Sequence, residues 1–276
     1  AANARANRFP AVSDFANTLN VIRHSEDAMN VQSKLMEYLR RNNVTEFLPI
    51  NDGALINPNT FVIGGVNTEG AILFADLPGY STMCSKRTPP ECSYFANSFF
   101  SWFEAEAIRN YGGIIDKFIG DEIMVLYPKS ESKTSPLEAA MRSAELMIRY
   151  DPYSFKPKIG IASGPFIVAA VGTKDNWSIS AIGNIVNLAS RCVSEAGSPG
   201  VIGIASDDTN LVNEVFTDEN QWKVLESTTF EPKNMERSPI IKVERSAEWI
   251  PGFDRFEDIK ANIQIAIERG VIQNDV

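Results

Sequence analysis

Apolar and polar positions divide this chain into a sharply patterned middle and two weaker flanks. The pattern sharpens at Gly70, where Ala71-Ile72-Leu73-Phe74-Ala75-Asp76 reads as a strand that ends in an acid. A Pro-Gly loop, Leu77-Pro78-Gly79-Tyr80-Ser81, leads to the proline-marked helix start Thr88-Pro89-Pro90-Glu91. Phe95, Phe99, Trp102, Phe103 and Ile108 then recur at helical spacing until Gly112-Gly113. An aromatic stripe of this kind is core in preference to cofactor contact. Residues 114–127 form two apolar runs joined at Gly120-Asp121, a hairpin signature with glycine where positive φ is cheapest.

A second helix is predicted over 136–149, with Leu137, Ala140, Met141, Ala144 and Ile148 on one face. Strand 158–162 is expected to turn at Ser163-Gly164 into strand 166–171. The resulting order of strand, helix, strand, strand, helix, strand predicts an α+β, ferredoxin-like sandwich, one sheet packed on its helices. Farther on, a helix carries Ile185 to Arg191, and Gly197-Ser198-Pro199-Gly200 closes that unit before a strand over 201–205. Strands are expected at 222–225 and 240–243, and Phe253, Phe256, Ile259, Ile263 and Ile267 mark an amphipathic last helix. Before the patterned region, Val31 to Leu48 reads as a helix, while residues 1–25 have no firm periodicity. The expected division is therefore an N-terminal helical appendage or linker (1–68), a sharply patterned domain (69–245) and the C-terminal helix (246–276). The appendage has too few apolar positions to close a core, and reads as a dimer-stabilising arm or the stump of a regulatory linker.

Composition narrows the chemistry. The chain has 276 residues, 44% of them hydrophobic, enough for one large domain with a real core. Its net charge of −9 speaks against non-specific nucleic-acid binding, which needs a basic stripe, yet leaves local nucleotide binding open. Cys84, Cys92 and Cys192 lack C-x-x-C spacing and fit reduced cytosolic thiols, so a cytoplasmic setting is expected. His24 is the single histidine, which disfavours a His-based triad or His-rich metal site. No run reaches the ~18 apolar residues of a membrane span and no signal peptide opens the chain, although an anchor in a longer parent stays open.

Asp121 at the hairpin tip is either an ordinary turn residue or a metal ligand. Asp76 at the end of a second strand shifts the balance toward the ligand reading. Two such acids without histidine suit oxygen-ligand binding of Mg²⁺ or Mn²⁺, which take one or two carboxylates plus substrate phosphates. Asn187 and Arg191, four apart, share a helix face. They are a surface pair or, with Lys233, donors to a transferring phosphoryl group. Lys117 could instead donate to a base edge, and strand alternation leaves open whether it and Asp121 face one pocket.

Three ordered segments together resemble the class III nucleotidyl cyclases. They are Phe74-Ala75-Asp76-Leu77-Pro78-Gly79-Tyr80-Ser81, Lys117-Phe118-Ile119-Gly120-Asp121, and Ala181-Ile182-Gly183-Asn184-Ile185-Val186-Asn187-Leu188-Ala189-Ser190-Arg191. The resemblance spans roughly residues 69–245. It implies that Asp76 and Asp121, with the backbone of Leu77, hold two divalent ions, Mg²⁺ or Mn²⁺. It implies that Lys117 and Ser180 read the base, and that Asn187 and Arg191 steady ribose and transition-state phosphate. Lys233, with Arg237 as the other candidate, would bind terminal phosphates, and the amides from Leu77 to Tyr80 would cradle phosphates. It further implies a homodimer with sites shared across the interface. The metal residues would come from one subunit and the transition-state residues from its partner.

Lys at the first base position is the adenylyl pattern, so ATP is the expected substrate and cyclic AMP the product. Ser180 departs from the usual Asp or Thr, while Trp177 and Tyr80 could shrink the pocket. Relatives that cyclise UTP or CTP in bacterial anti-phage signalling are the runner-up, and GTP is third. A catalytically dead nucleotide-sensing or dimerisation module is the competing class, against which all the key acids and Arg191 are retained. Polymerase palms and GGDEF-type enzymes also use two acids but lack the Ile-Gly-Asn-x-Val-Asn-x-Ala-Ser-Arg helix.

Overall fold

The computed structural model describes residues 30–50, 61–149, 156–173, 175–218, 221–246, 256–270 and 272. Phe253 and residues 1–25 lie outside them. The first described element is helix α1 (Val31–Arg41), shorter than the 31–48 expected from sequence. Asn30 caps its start by accepting from the Ser33 amide at 2.9 Å. Asn43, with a φ of 66°, turns the chain out of the helix, so Phe47 and Leu48 lie beyond it. A short pair, β1 (Leu48–Ile50) and β2 (Phe61–Ile63), follows.

The domain proper opens with β3 (Gly65–Asp76), α2 (Tyr80–Cys84) and α3 (Pro89–Trp102). Glu91 accepts from both the amide and the hydroxyl of Thr88 at 2.8 and 2.9 Å, and Pro89 and Pro90 occupy positions that need no donor. A π-helical turn (Phe103–Ile108) and a 3₁₀ turn (Arg109–Tyr111) extend α3 to Gly112. Next come β4 (Ile114–Ile119), β5 (Glu122–Pro128), α4 (Pro136–Arg149), β6 (Lys158–Gly172), β7 (Trp177–Ile182) and α5 (Asn184–Ala196). The chain continues through β8 (Val201–Ala205), α6 (Thr209–Val215), β9 (Trp222–Phe230), β10 (Ser238–Arg245) and α7 (Phe256–Glu268).

Eight of these strands form one sheet in the order β4-β5-β3-β6-β8-β10-β9, with β7 paired to β6. The first four are antiparallel neighbours, which is the expected ferredoxin-like arrangement; β8 joins β6 in parallel. The sheet is mostly antiparallel and flanked by helices, as expected. One expectation needs correction: 158–172 is a single strand with no reversal at Ser163-Gly164. β3 supplies an unbroken partner from Gly65↔Ala169 to Asp76↔Lys158, which holds the Ser-Gly step inside the ladder. β7 and α6 were not anticipated. The polar stretch before Trp177 masks a hairpin strand that only pairing with β6 reveals.

Alternation along β3 divides the core. Ala71, Leu73 and Ala75 face α3, the π turn and α4, joining Phe99, Phe103, Met141 and Ile148. Ile72 and Phe74 face the other side, where Leu35, Tyr38 and Leu39 of α1 and Ile185 and Ala189 of α5 are buried. So α1, from the stretch set apart in the sequence, lies on the sheet. α5 approaches β6 and β8 closely over two paired glycines. A Cβ on Gly160 would sit 2.2 Å from the Ala189 carbonyl oxygen, and one on Gly203 2.6 Å from that of Cys192. This contact fixes the height of the helix that carries Asn187 and Arg191.

Candidate functional site

Two chemically distinct constellations form at this end of the fold. In the first, β3 ends at Asp76 and the β4–β5 turn projects Asp121 beside it. Gly120 has a φ of 63°, the left-handed geometry a tight turn requires. The Leu77 amide donates to the Asp121 carbonyl oxygen at 3.3 Å, tying strand end to hairpin tip. Both acids line a cleft of about 440 Å³ with Leu77 to Thr82, Lys158, Gly197 and Pro199.

Two charged residues that sequence reasoning missed complete this constellation. Glu122 and Lys158 are the cross-strand partners of Asp76 on either side. Lys158 Nζ lies 3.1 Å from Asp76 Oδ2. One lysine does not offset three carboxylates. Burial first, then Asp76 and Asp121, push the Glu122 carboxyl up to about 7, and Lys158 opposes this only in part. Burial also raises Asp121, with Asp76 adding to it. No sequence signal marks either residue, because their place depends on strand register.

The loop after Asp76 offers a narrower cradle than expected. The Leu77 amide is engaged by Asp121, Pro78 has no N–H, and the Tyr80 amide donates to the Leu77 carbonyl at 3.3 Å. Among the described residues, no hydrogen bond engages the Gly79, Ser81 or Thr82 amide. Gly79 has a φ of 77°, and a Cβ there would meet nothing within 4 Å, so its backbone is open to the cleft. The Tyr80 hydroxyl donates to the Cys92 carbonyl at 3.1 Å, and burial, then Cys84, raise it to about 12.

The acidic groups lining this cleft are hard oxygen donors, the carboxylates of Asp76 and Asp121. Among the described residues no three His, Cys, Asp or Glu side chains are grouped to hold an ion. That fits Mg²⁺ or Mn²⁺, which leave positions for phosphate and water, better than a closed structural site. Burial, together with the neighbouring carboxylates, raises Glu122 and Asp121, and a cation here would relieve that charge.

The second constellation centres on Lys117 and Ser180. Lys117 Nζ donates to Ser180 Oγ at 2.6 Å across 63 positions of sequence. Ser180 in turn donates to Asp116 Oδ2 at 2.9 Å, and the Ala181 amide donates to Asp116 Oδ1 at 2.7 Å. Lys117 also pairs with Asp116 at 3.2 Å. Asp116 is wholly buried, whereas the Lys117 side chain is 42% exposed. A β-bulge between Ile115 and Lys117 allows neighbouring residues to serve one cluster, which strict alternation would forbid. Asp116 is a third residue missed from sequence, because a bulge has no periodic signature. Trp177 stands at the far end of β7, 40% exposed and 5.0 Å from the ring of Phe47.

Asn187 and Arg191 lie on the exposed face of α5, outside the Asp76 cleft. Beside that helix, Asn184 and Leu188 border a cleft of about 630 Å³ with Asn234 to Ser238 of the β9–β10 turn. Lys233 is exposed in the same turn but does not line that cleft; Arg237 lines it and pairs with Glu231 at 3.2 Å. Within the single chain the structure thus brings Asp76 to Asp121 and Lys117 to Ser180. It leaves Asn187, Arg191 and Lys233 outside the acidic cleft.

The family model for the adenylate and guanylate cyclase catalytic domain matches residues 67–235. The terminal-differentiation specific adenylate cyclase of Dictyostelium discoideum is 30% identical over 160 residues, covering 54% of this chain and 8% of that protein. An adenylate cyclase of Anabaena cylindrica is 32% identical over 141 residues, covering 47% of this chain and 28% of its own length. The chain therefore spans less than a third of these curated relatives. Among solved structures, the adenylyl cyclase CyaB from P. aeruginosa superposes with a TM-score of 0.54 at 20% identity, covering 67% of this chain and 97% of that one. The guanylyl cyclase Cya2 gives a TM-score of 0.53 at 24% identity, covering 69% and 98%. At these identities the superpositions establish the fold. Among the described residues no helix is long and apolar enough to cross a membrane.

Proposed function

The chain belongs to the adenylate and guanylate cyclase catalytic domain family, and on that premise we propose that it converts a nucleoside triphosphate, ATP foremost, to its 3′,5′-cyclic monophosphate. The ribose 3′-hydroxyl gives up its proton to water as its oxygen bonds to the α-phosphorus, the bond from that phosphorus to the α–β bridging oxygen breaks, and pyrophosphate leaves with the displaced electron pair. The observation that carries this reading is the convergence of Asp76 and Asp121 on one cleft beside an open loop. These two acids and the Leu77 carbonyl would hold two divalent ions, Mg²⁺ or Mn²⁺. Such ions, when bound, lower the pKa of the attacking hydroxyl and neutralise the leaving group. Gly79 and the first turn of α2 would present amides to the phosphates.

Lys117 and Ser180 support an amino-bearing base. The ammonium is a pure donor, and Ser180 Oγ, whose proton is committed to Asp116, keeps acceptor capacity. A donor beside an acceptor complements the ring nitrogen and exocyclic amine of adenine, and equally those of cytosine. Guanine and uracil present the reverse pattern, and an unmatched buried polar group costs about 1–3 kcal/mol. CTP is therefore the second reading; UTP, from the same anti-phage relatives, fits the pair less well.

Asn187 and Arg191 would steady ribose and transition-state charge from α5, with Lys233 on terminal phosphates. Their exposure, away from the acids of their own protomer, supports a homodimer in which each site takes Asp76 and Asp121 from one protomer and α5 from its partner. Cytoplasmic nucleotide pools are the setting this reading requires. The test is incubation with Mn²⁺ and each of ATP, CTP, GTP and UTP separately, with products resolved by chromatography and mass spectrometry. Cyclic AMP as the main product is expected. Cyclic CMP would reassign the base, cyclic GMP or UMP would overturn the donor–acceptor argument, and no product from any nucleotide would overturn the cyclase proposal.

A further inference from the structure

Strand β7 pairs with β6 along one side, and among the described residues its other edge is met by side chains rather than by another strand. Asp116 takes the Ala181 amide at 2.7 Å. Two residues earlier, Gln32 of α1 takes both backbone groups of Ile179. Gln32 Nε2 donates to the Ile179 carbonyl at 3.2 Å, and the Ile179 amide donates to Gln32 Oε1 at 2.7 Å. A carboxamide offers donor and acceptor in the same plane, as a neighbouring strand's peptide would. Ser180 sits between these two clamped positions, with its hydroxyl at the Lys117 ammonium.

The helix that supplies Gln32 is itself firmly seated. Leu35, Tyr38 and Leu39 are wholly buried, Lys34 pairs with Glu104, and Arg41 pairs with Glu131 at 3.0 Å. Beyond its end, Phe47 rests on Trp177 at the start of β7. The chain segment ahead of the matched family region thus grips the base-reading strand at both Ile179 and Trp177.

We propose that Gln32 is a positioning residue for base recognition: by holding Ile179 it fixes where Ser180 stands relative to Lys117, so that α1 sets the base preference of the site. The proposal rests on the reading of Lys117 and Ser180 as the base pair of contacts. A merely structural role, covering a strand edge, would change stability and leave base preference alone.

The experiment compares wild type, Gln32→Leu, Gln32→Glu and Lys117→Ala by steady-state kinetics with ATP and CTP and by amide hydrogen exchange. In Gln32→Leu the Ile179 amide should exchange faster. KM for ATP should rise about fivefold or more, the size expected for losing a pair of hydrogen bonds, with kcat little changed and the ATP-to-CTP ratio of kcat/KM altered. Gln32→Glu, which keeps the acceptor for the Ile179 amide, should fall between the two and decides the matter if Gln32→Leu does not fold. Faster Ile179 exchange with unchanged KM and base ratio would overturn the role of Gln32. If Lys117→Ala shifts the ratio and neither Gln32 variant does, only this inference fails. If Lys117→Ala also leaves the ratio unchanged, the base-site reading fails and takes the inference with it.

Discussion

The acidic cleft and the Lys117–Ser180 cluster both use buried or half-buried charge, but they balance it differently. Around Lys117 every charge has an answer within the protomer. Asp116 accepts from Ser180, from the Ala181 amide and from Lys117, so the cluster is complete before any ligand arrives. Around Asp76 three carboxylates share one lysine, and burial, reinforced by Asp76 and Asp121, pushes the carboxyl of Glu122 up to about 7. On the proposed reading the first cluster serves recognition, since pre-formed hydrogen bonds present a fixed donor and acceptor. The second is organised for charge that must come from outside. Under the proposed function, the contrast separates where specificity would reside from where chemistry would.

Substitutions can break this contrast. The largest effect is expected from Asp76→Ala or Asp121→Ala, which should lower turnover on the order of 10³-fold or more by removing a proposed metal ligand. Mn²⁺ is expected to raise the Tm of the wild type, and the same variants should lose that rise, with circular dichroism unchanged. Retained turnover in either would remove the acidic cleft from the chemistry. A smaller effect is expected from Asp116→Asn, which keeps hydrogen-bonding groups but withdraws the charge facing Lys117. KM for ATP should rise about tenfold, in line with a charge-assisted hydrogen bond, while the response of Tm to Mn²⁺ persists. An unchanged KM would show that Asp116 serves folding alone.

The smallest effect sharpens the electrostatic side. Because the folded carboxyl of Glu122 is raised from 4.5 to about 7, metal-free protein binds more protons folded than unfolded in that window, and stability falls as pH rises through it. Glu122→Gln should therefore raise the Tm of chelator-treated protein above pH 7, by roughly 2–4 °C after allowance for solvent screening. The gain should vanish near pH 4, and a constant gain across the range would place its origin in packing.

What the sequence revealed and what it hid follow one physical line. β3, α3, the β4–β5 hairpin, α4 and α5 were legible because periodicity, proline starts and glycine stops are local signals. Asp76, Asp121, Lys117 and Ser180 were legible as members of motifs. Glu122 and Lys158 were not, because cross-strand register is fixed by pairing between distant segments. Asp116 was hidden by a bulge that breaks alternation, and β7 by the polar stretch before it. The single long β6 was misread because a Ser-Gly step resembles a turn until a partner strand is present on its other side. α1 was read as an appendage because its apolar face is too narrow to close a core alone; it lies on one the sheet already provides.

The measurement that tests the account most directly is complementation between protomers. Asp121→Ala and Arg191→Ala proteins would be assayed alone and after mixing, with labelled subunits used to verify exchange. The account predicts little product from either alone and recovered cyclic nucleotide from the mixture, since a mixed dimer rebuilds one intact site. An inactive mixture despite demonstrated exchange would contradict the shared site, and with it the separation of metal-binding and transition-state residues between protomers.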